Sequence, residues 1–171
     1  MTQTAAKNTE QDESLASLAG KYLTFLLGEE SYGIEILKVQ EIIGMQTITR
    51  IPRTPEYVKG VINLRGKVIP VIDLRLRFGM EEAEVSRKTC IIVVQVTRAE
   101  TSVTMGIVVD EVSEVLEISA EEIEPPPGFG TSVETSFVLG MAKIENSVKI
   151  LLDIDRIMTE GEMEALAKQA K

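Results

Sequence analysis

The chain repeats itself. Residues 58–78, VKGVINLRGKVIPVIDLRLRF, align without a gap with residues 138–158, VLGMAKIENSVKILLDIDRIM, setting Val58 against Val138, Gly60 against Gly140, Val68 against Val148 and Asp73 against Asp153. An earlier stretch is duplicated as well. YGIEILKVQEII from Tyr32 sets Gly33, Ile34, Val39 and Glu41 against Gly106, Ile107, Val112 and Glu114 of MGIVVDEVSEVL. Two blocks in the same order and at similar separation make two similar half-domains in tandem the simplest organisation, against a coincidence of β-sheet punctuation.

Within the repeat, Val61, Ile62 and Leu64 form one apolar run and Val68, Ile69, Val71 and Ile72 a second, with Arg65-Gly66-Lys67 between them. That pattern predicts a β-hairpin in which Gly66 supplies a positive φ. Pro70 donates no backbone hydrogen bond, so its strand is expected at a sheet edge or at a bulge. Asp73 then caps a short helix, Leu74 to Phe78, which Gly79 ends, and Asp153 plays the same part in the second copy.

The rest of the chain reads as further strands. KYLTFLL and YGIEI form a hairpin around GEES. Residues 37–43 fit helical spacing, but the counterpart VSEVLEI is rich in β-branched residues and favours extended chain for most of both. Thr54-Pro55-Glu56-Tyr57 reads as a cap and a proline-led helical turn. GMEEAEVSRK is a polar connector between the halves. The second half opens on a strand over residues 89–97, returns over 103–109 and extends over 112–118. Ser119 to Glu122 has the form of a helix start before three prolines, and Gly128-Phe129-Gly130 puts a ring on a flexible tip, either tucked into the core or offered as a contact. Strands over residues 137–144 and 148–152 repeat the central hairpin, and a closing helix starts at Asp153. The expectation is about ten short strands, five per half, in two small barrels that share a face because neither buries its apolar content alone.

Composition narrows the function. With 27 acidic against 18 basic residues, a formal net charge of -9 and no basic patch, the chain would repel a phosphate backbone. An oligonucleotide-binding barrel also predicts basic strands with exposed aromatics, and aromatics are only 4% here. The single cysteine, Cys90, fits a buried strand position and a reducing cytoplasm. Residues 1–20 read as a polar tail with no signal peptide, and no apolar run reaches the roughly 20 residues that span a bilayer.

Catalysis has little to work with. There is no histidine, so proton transfer or a metal site would fall to Asp73, Asp110, Glu111, Glu114, Glu121, Glu122 or Glu124. Each has an ordinary explanation as a cap, a turn residue or a solvated charge. No phosphate-binding glycine loop occurs. A small-molecule or carboxylate-dependent double barrel, using the groove between the halves, is the competing reading. What remains is surface: Arg65 stands at a hairpin tip where the repeat carries Glu145, so the two tips have opposite charge and suit different partners. Arg65 and Lys67 fit solvated turn residues equally well.

VKGVINLRGKVIPVIDLR, with YGIEILKVQEI and GIVVDEVSEVL, closely resembles the CheW family of bacterial chemotaxis coupling proteins over roughly residues 21–159. The resemblance implies a mainly β fold of two intertwined five-stranded SH3-like barrels sharing a hydrophobic core, with few short helices. The first barrel would span roughly 33–85 and the second roughly 89–152, with terminal segments exchanged or not, and residues 160–171 a helix or tail. It further implies a cytoplasmic, non-enzymatic adapter without a cofactor, which joins the tips of transmembrane chemoreceptors to the histidine kinase CheA. On the family's pattern Val39, Glu41, Gly60 and Arg65 lie at or beside the receptor contact, and Phe129 corresponds to a kinase-binding aromatic. Receiver or kinase domains of the CheV or CheA type would not fit in 171 residues, which leaves a free-standing adapter.

Overall fold

Alternating apolar residues and short turn signals put most of the chain into strands. The computed structural model describes residues 17–98, 100–125 and 137–169. Its strands are β1 (Gly20–Leu27), β2 (Glu30–Glu35), β3 (Val39–Gly44), β4 (Val58–Leu64), β5 (Lys67–Asp73), β6 (Cys90–Arg98), β7 (Thr101–Val109), β8 (Glu111–Ile118), β9 (Ile123–Glu124), β10 (Val138–Ile144) and β11 (Ser147–Leu152). Two α-helices are described, α1 (Leu74–Arg77) and α2 (Glu160–Gln169), with 3₁₀ turns at Ile36–Lys38, Ala120–Glu122 and Ile154–Arg156.

The strands form two curled sheets, ordered β3-β6-β7-β5-β4 and β8-β1-β2-β11-β10-β9. Each sheet takes its first hairpin from the other half of the sequence: β6-β7 completes the sheet of β3, β4 and β5, and β1-β2 completes that of β8 to β11. The joins are the parallel pairs, and they repeat. Val71 pairs with Gly106 in one sheet, and its counterpart Leu151 pairs with Gly33 in the other. A Cβ on Gly106 would lie 2.6 Å from Ile91, and one on Gly33 would lie 3.1 Å from Leu151. The duplicated glycine is therefore a close-approach residue.

Both sheets close by the same route. Beyond β3 the chain returns so that Thr49 bridges Val61 of β4. Beyond β8 it turns through Ala120–Glu122 into β9, where Glu124 pairs with Met141, the counterpart of Val61. The result is two SH3-like barrels, and two-residue β9 accounts for the sixth strand of the second sheet.

Three apolar clusters follow from this arrangement. Ile62, Val71, Ile91 and Val93 fill the first barrel, and Tyr22, Ile118, Ala142 and Leu151 the second. Between them lies a shared core that includes Phe25, Ile34, Ile72, Ile92, Met105 and Leu152. Strand β6 shows the logic, since Ile91 and Val93 point into the first barrel while Ile92, Val94 and Val96 point into the shared core. A strand covered on both faces needs an unbroken apolar run, which CIIVV supplies, and each such side chain contributes about 1.5–3 kcal/mol. Phe25, Tyr32, Phe78 and Phe137 stack in a row along the core, with successive ring centroids 5.9, 5.8 and 5.0 Å apart.

Two local expectations change. Strand β5 is interior, lying between β7 and β4, and the bulge on its β4 side falls between Val58 and Gly60 and not at Pro70. Pro70 is tolerated because the ladder to β7 begins only at Val71. Residues 54–57 form no helix but a single turn, closed by the Val58 amide donating to the Pro55 carbonyl at 3.0 Å, because the chain enters β4 at once. Asp73 and Asp153 do act as caps: Asp73 accepts from the amides of Arg75 and Leu76, and Asp153 from that of Asp155.

Candidate interaction surface

Glu41 and Arg65 come from different edges of the first barrel and meet. Glu41 lies on β3, whose register against β6 shifts between Val39 and Glu41. Such a bulge re-aims the side chain after it. Arg65 lies in the two-residue loop between β4 and β5 with φ 52°, followed by Gly66 at 87°, the double positive φ that a tight hairpin favours. The Asn63 carboxamide oxygen accepts from the Gly66 amide at 2.8 Å and holds the loop in shape.

The contact is bidentate. Arg65 Nη1 donates to Glu41 Oε2 at 2.5 Å and Nη2 to Oε1 at 2.7 Å, the fork-to-carboxylate geometry that fixes orientation as well as charge. The Arg65 hydrogen bonds hold the Glu41 carboxyl below its usual range, and the same bonds raise the guanidinium. The Arg65 side chain is nevertheless 73% exposed, against 24% for Glu41. The guanidinium is thus oriented from beneath while its outer face stays open. Exposed apolar residues stand nearby in the chain, Ile42 on β3 at 45% and Val68 on β5, three residues after Arg65, at 46%.

The other named residues stand differently. Val39 is half-buried and packs on the shared core. Gly60 offers no side chain: its φ is 141°, and a Cβ there would overlap the carbonyl oxygen of Thr49. It keeps the barrel's closing segment against β4, with Thr49 and Val61 exchanging amide-to-carbonyl bonds of 2.8 Å each. Phe129 falls in residues 126–136, outside the described residues. Gln40, whose side chain donates to Gln95 at 3.0 Å, and the exposed Ile42 and Leu37 were not singled out by sequence. Period-two alternation along β3 marks Ile42 as facing away from Glu41, but nothing local marks it as uncovered.

Five of the seven carboxylates raised as catalytic candidates are engaged in structure. Asp73 is buried and caps α1, Asp110 pairs with Arg75, and Glu111 pairs with Lys88. Glu122 completes a capping box with Ser119, and Glu124 pairs with Lys143. Asp73 and Asp110 line a cavity of about 240 Å³ with Lys59, Arg75, Met45 and Ile48, but its cations are already matched, Lys59 by Asp73 and Glu82 and Arg75 by Asp110. Burial pushes the Cys90 thiol up, away from the reactive thiolate. Among the described residues no three metal-binding side chains cluster, and no helix is long and apolar enough to cross a membrane.

The family model described as the CheW-like domain matches residues 21–162. The chain belongs to the CheW-like family. It is 40% identical to the chemotaxis protein CheW of Klebsiella aerogenes over 92% of its own length and 96% of that protein's. It is 36% identical to CheW of Rhizobium meliloti over 92% and 99% of the two chains. The crystal structure of the scaffolding protein TtCheW from Thermoanaerobacter tengcongensis superposes with a TM-score of 0.74 at 39% identity, covering 85% of this chain and 97% of that one. CheW membership, with a scaffolding protein as structural neighbour, supports a chemotaxis adapter role.

Proposed function

We propose that the protein couples the cytoplasmic tips of transmembrane chemoreceptors to the histidine kinase CheA by binding alone, within membrane-associated signalling arrays. The observation that carries this reading is the Glu41–Arg65 pair, a guanidinium held in a fixed orientation and left 73% exposed at a barrel edge. A receptor tip is a helical hairpin. Its carboxylates would engage the outer face of Arg65 while its apolar stripe lies along the exposed Val68 of the same hairpin, which fixes register and partner together. Val39 supports the β3 backbone from the core, and Gly60 shapes the closing segment. The kinase side involves Phe129 and the regulatory domain of CheA. Weak contacts at separate faces, multiplied by the lattice, give high avidity and let receptor conformation bias kinase activity. Incubating the purified protein with receptor cytoplasmic fragments and CheA tests this: it should bring both into one complex and place autophosphorylation under receptor control, and failure to bind either contradicts it.

A further inference from the structure

The chain passes from one barrel to the other at two equivalent places, and each crossing is pinned by an ion pair. The first crossing is the turn Ile36–Lys38 between β2 and β3, and the second is Asp110, between β7 and β8. The residue that reaches each crossing follows a parallel-paired strand: Arg75 after β5, Asp155 after β11. The two are aligned in the repeat and held alike. The Arg75 amide donates to Asp73 Oδ1 at 2.9 Å, and the Asp155 amide donates to Asp153 Oδ1 at 3.1 Å.

Their charges are opposite. Arg75 donates to Asp110 through Nε at 2.8 Å and Nη2 at 2.5 Å, and Asp110 also accepts the Gly28 amide at 2.7 Å. Asp155 accepts from Lys38 Nζ at 2.6 Å and from the Thr97 amide of β6 at 2.8 Å. At one crossing the anion sits on the connection; at the other the connection carries the cation.

The two clamps also have different neighbours. Lys38 immediately precedes Val39, the first residue of β3, and Thr97 belongs to β6, the strand against which β3 pairs. One carboxylate of the second barrel therefore holds both the start of β3 and its neighbour, just before the bulge that aims Glu41 at Arg65. Asp110 instead leads into β8, whose Glu114 stands in place of Glu41, while Glu145 of the β10–β11 loop stands in place of Arg65.

We infer that Asp155, carried by the second barrel, is a positioning residue for the partner-binding edge of the first, setting through Lys38 where β3 begins and so how Glu41 orients Arg65. Only the identity of the partner rests on the function proposed above. The recognition surface is then a product of both barrels, not of the barrel that displays it.

The full-length chain carrying Asp155→Asn, Lys38→Met, Asp155→Glu or Asp110→Asn tests this with two readouts: amide exchange and Arg65 Nε NMR signals of the free protein, and affinity for a receptor cytoplasmic fragment. Asp155→Asn and Lys38→Met should each speed exchange over residues 39–43 roughly tenfold and weaken fragment binding roughly five- to tenfold. Asp155→Glu should stay near wild type. Asp110→Asn should lower the thermal midpoint as much as Asp155→Asn does while leaving β3 exchange, the Arg65 signal and affinity unchanged. Equal responses of β3 to Asp110→Asn and Asp155→Asn, or an unmoved β3 in Asp155→Asn, overturn the inference. If the wild type binds no receptor fragment, the functional reading falls and the exchange pattern still decides this one.

Discussion

Gly60 and Thr49 are in backbone contact across the seam of the first barrel, with no room for a side chain between them. The counterpart Gly140 faces Glu124, where an added Cβ would stand 2.9 Å from a carbonyl oxygen. Only Gly60 also has a φ in the left-handed region, at 141°. Gly60→Ala should therefore cost about 3 kcal/mol or more and Gly140→Ala about 1–2 kcal/mol, read by chemical denaturation. Equal losses would mean that the two seams are equally tight. Any binding defect of a Gly60 variant should track displacement of residues 44–51, since the glycine itself touches nothing outward.

The Arg75–Asp110 clamp should make stability depend on acid. Arg75, and less strongly the Gly28 amide, hold the Asp110 carboxyl below its usual value of about 4. A depressed carboxyl contributes stability that is present above the unfolded-state pKa and lost as pH falls through the folded one. Wild type should thus lose stability faster than Asp110→Asn as pH falls below about 4, the two curves converging at the acid end. Asp153, which burial shifts upward, acts with the opposite sign but equally in both proteins, so it cancels. Parallel curves would show that the clamp contributes nothing.

The C-terminal helix is fastened at its first turn. Glu162 and Thr159 bond reciprocally, at 2.8 Å to the Thr159 amide and 3.1 Å from the Glu162 amide to the Thr159 hydroxyl. The Tyr57 hydroxyl donates to Glu162, and Met163 is fully buried in the shared core. Burial works to raise the Glu162 carboxyl, but these bonds and Arg77 bring it below its ordinary value. Glu162→Ala should cost about 1–2 kcal/mol and open α2 to limited proteolysis ahead of the barrels. Undiminished protection would show that Met163 alone suffices.

How far the fold could be read from the letters depends on what a repeat records. The aligned blocks disclosed both hairpins, both Asp caps and the shared face, because glycine, aspartate and alternating apolar residues carry those features locally. They could not disclose which hairpin completes which barrel, since β1-β2 and β6-β7 have the same apolar period and would satisfy either sheet. Pro70 misled for the same reason: a missing donor is visible in sequence, but where the β7 ladder begins is not. Family resemblance named Glu41 and Arg65 separately; their bond to each other was not foreseen, as nothing local predicts that the edges carrying them meet. Lys38–Asp155 was available in principle, as Arg75 aligned with Asp155 is a charge reversal in a conserved frame, but a reversal suggests a pair only once the crossings are known.

Phe129 should separate the two partners. Phe129→Ala is expected to weaken binding to the regulatory domain of CheA roughly tenfold or more and leave affinity for receptor fragments unchanged, as measured by titration against each. Unaltered affinity for both removes it from the kinase surface.

The most direct measurement is a titration of Arg65→Glu against a receptor cytoplasmic fragment, run beside its thermal melt. Arg65 is exposed and bonded only to Glu41 among the described contacts, so the thermal midpoint should stay nearly unchanged while receptor association is abolished. A loss of folding in step with binding, or full affinity with the charge reversed, would contradict the account.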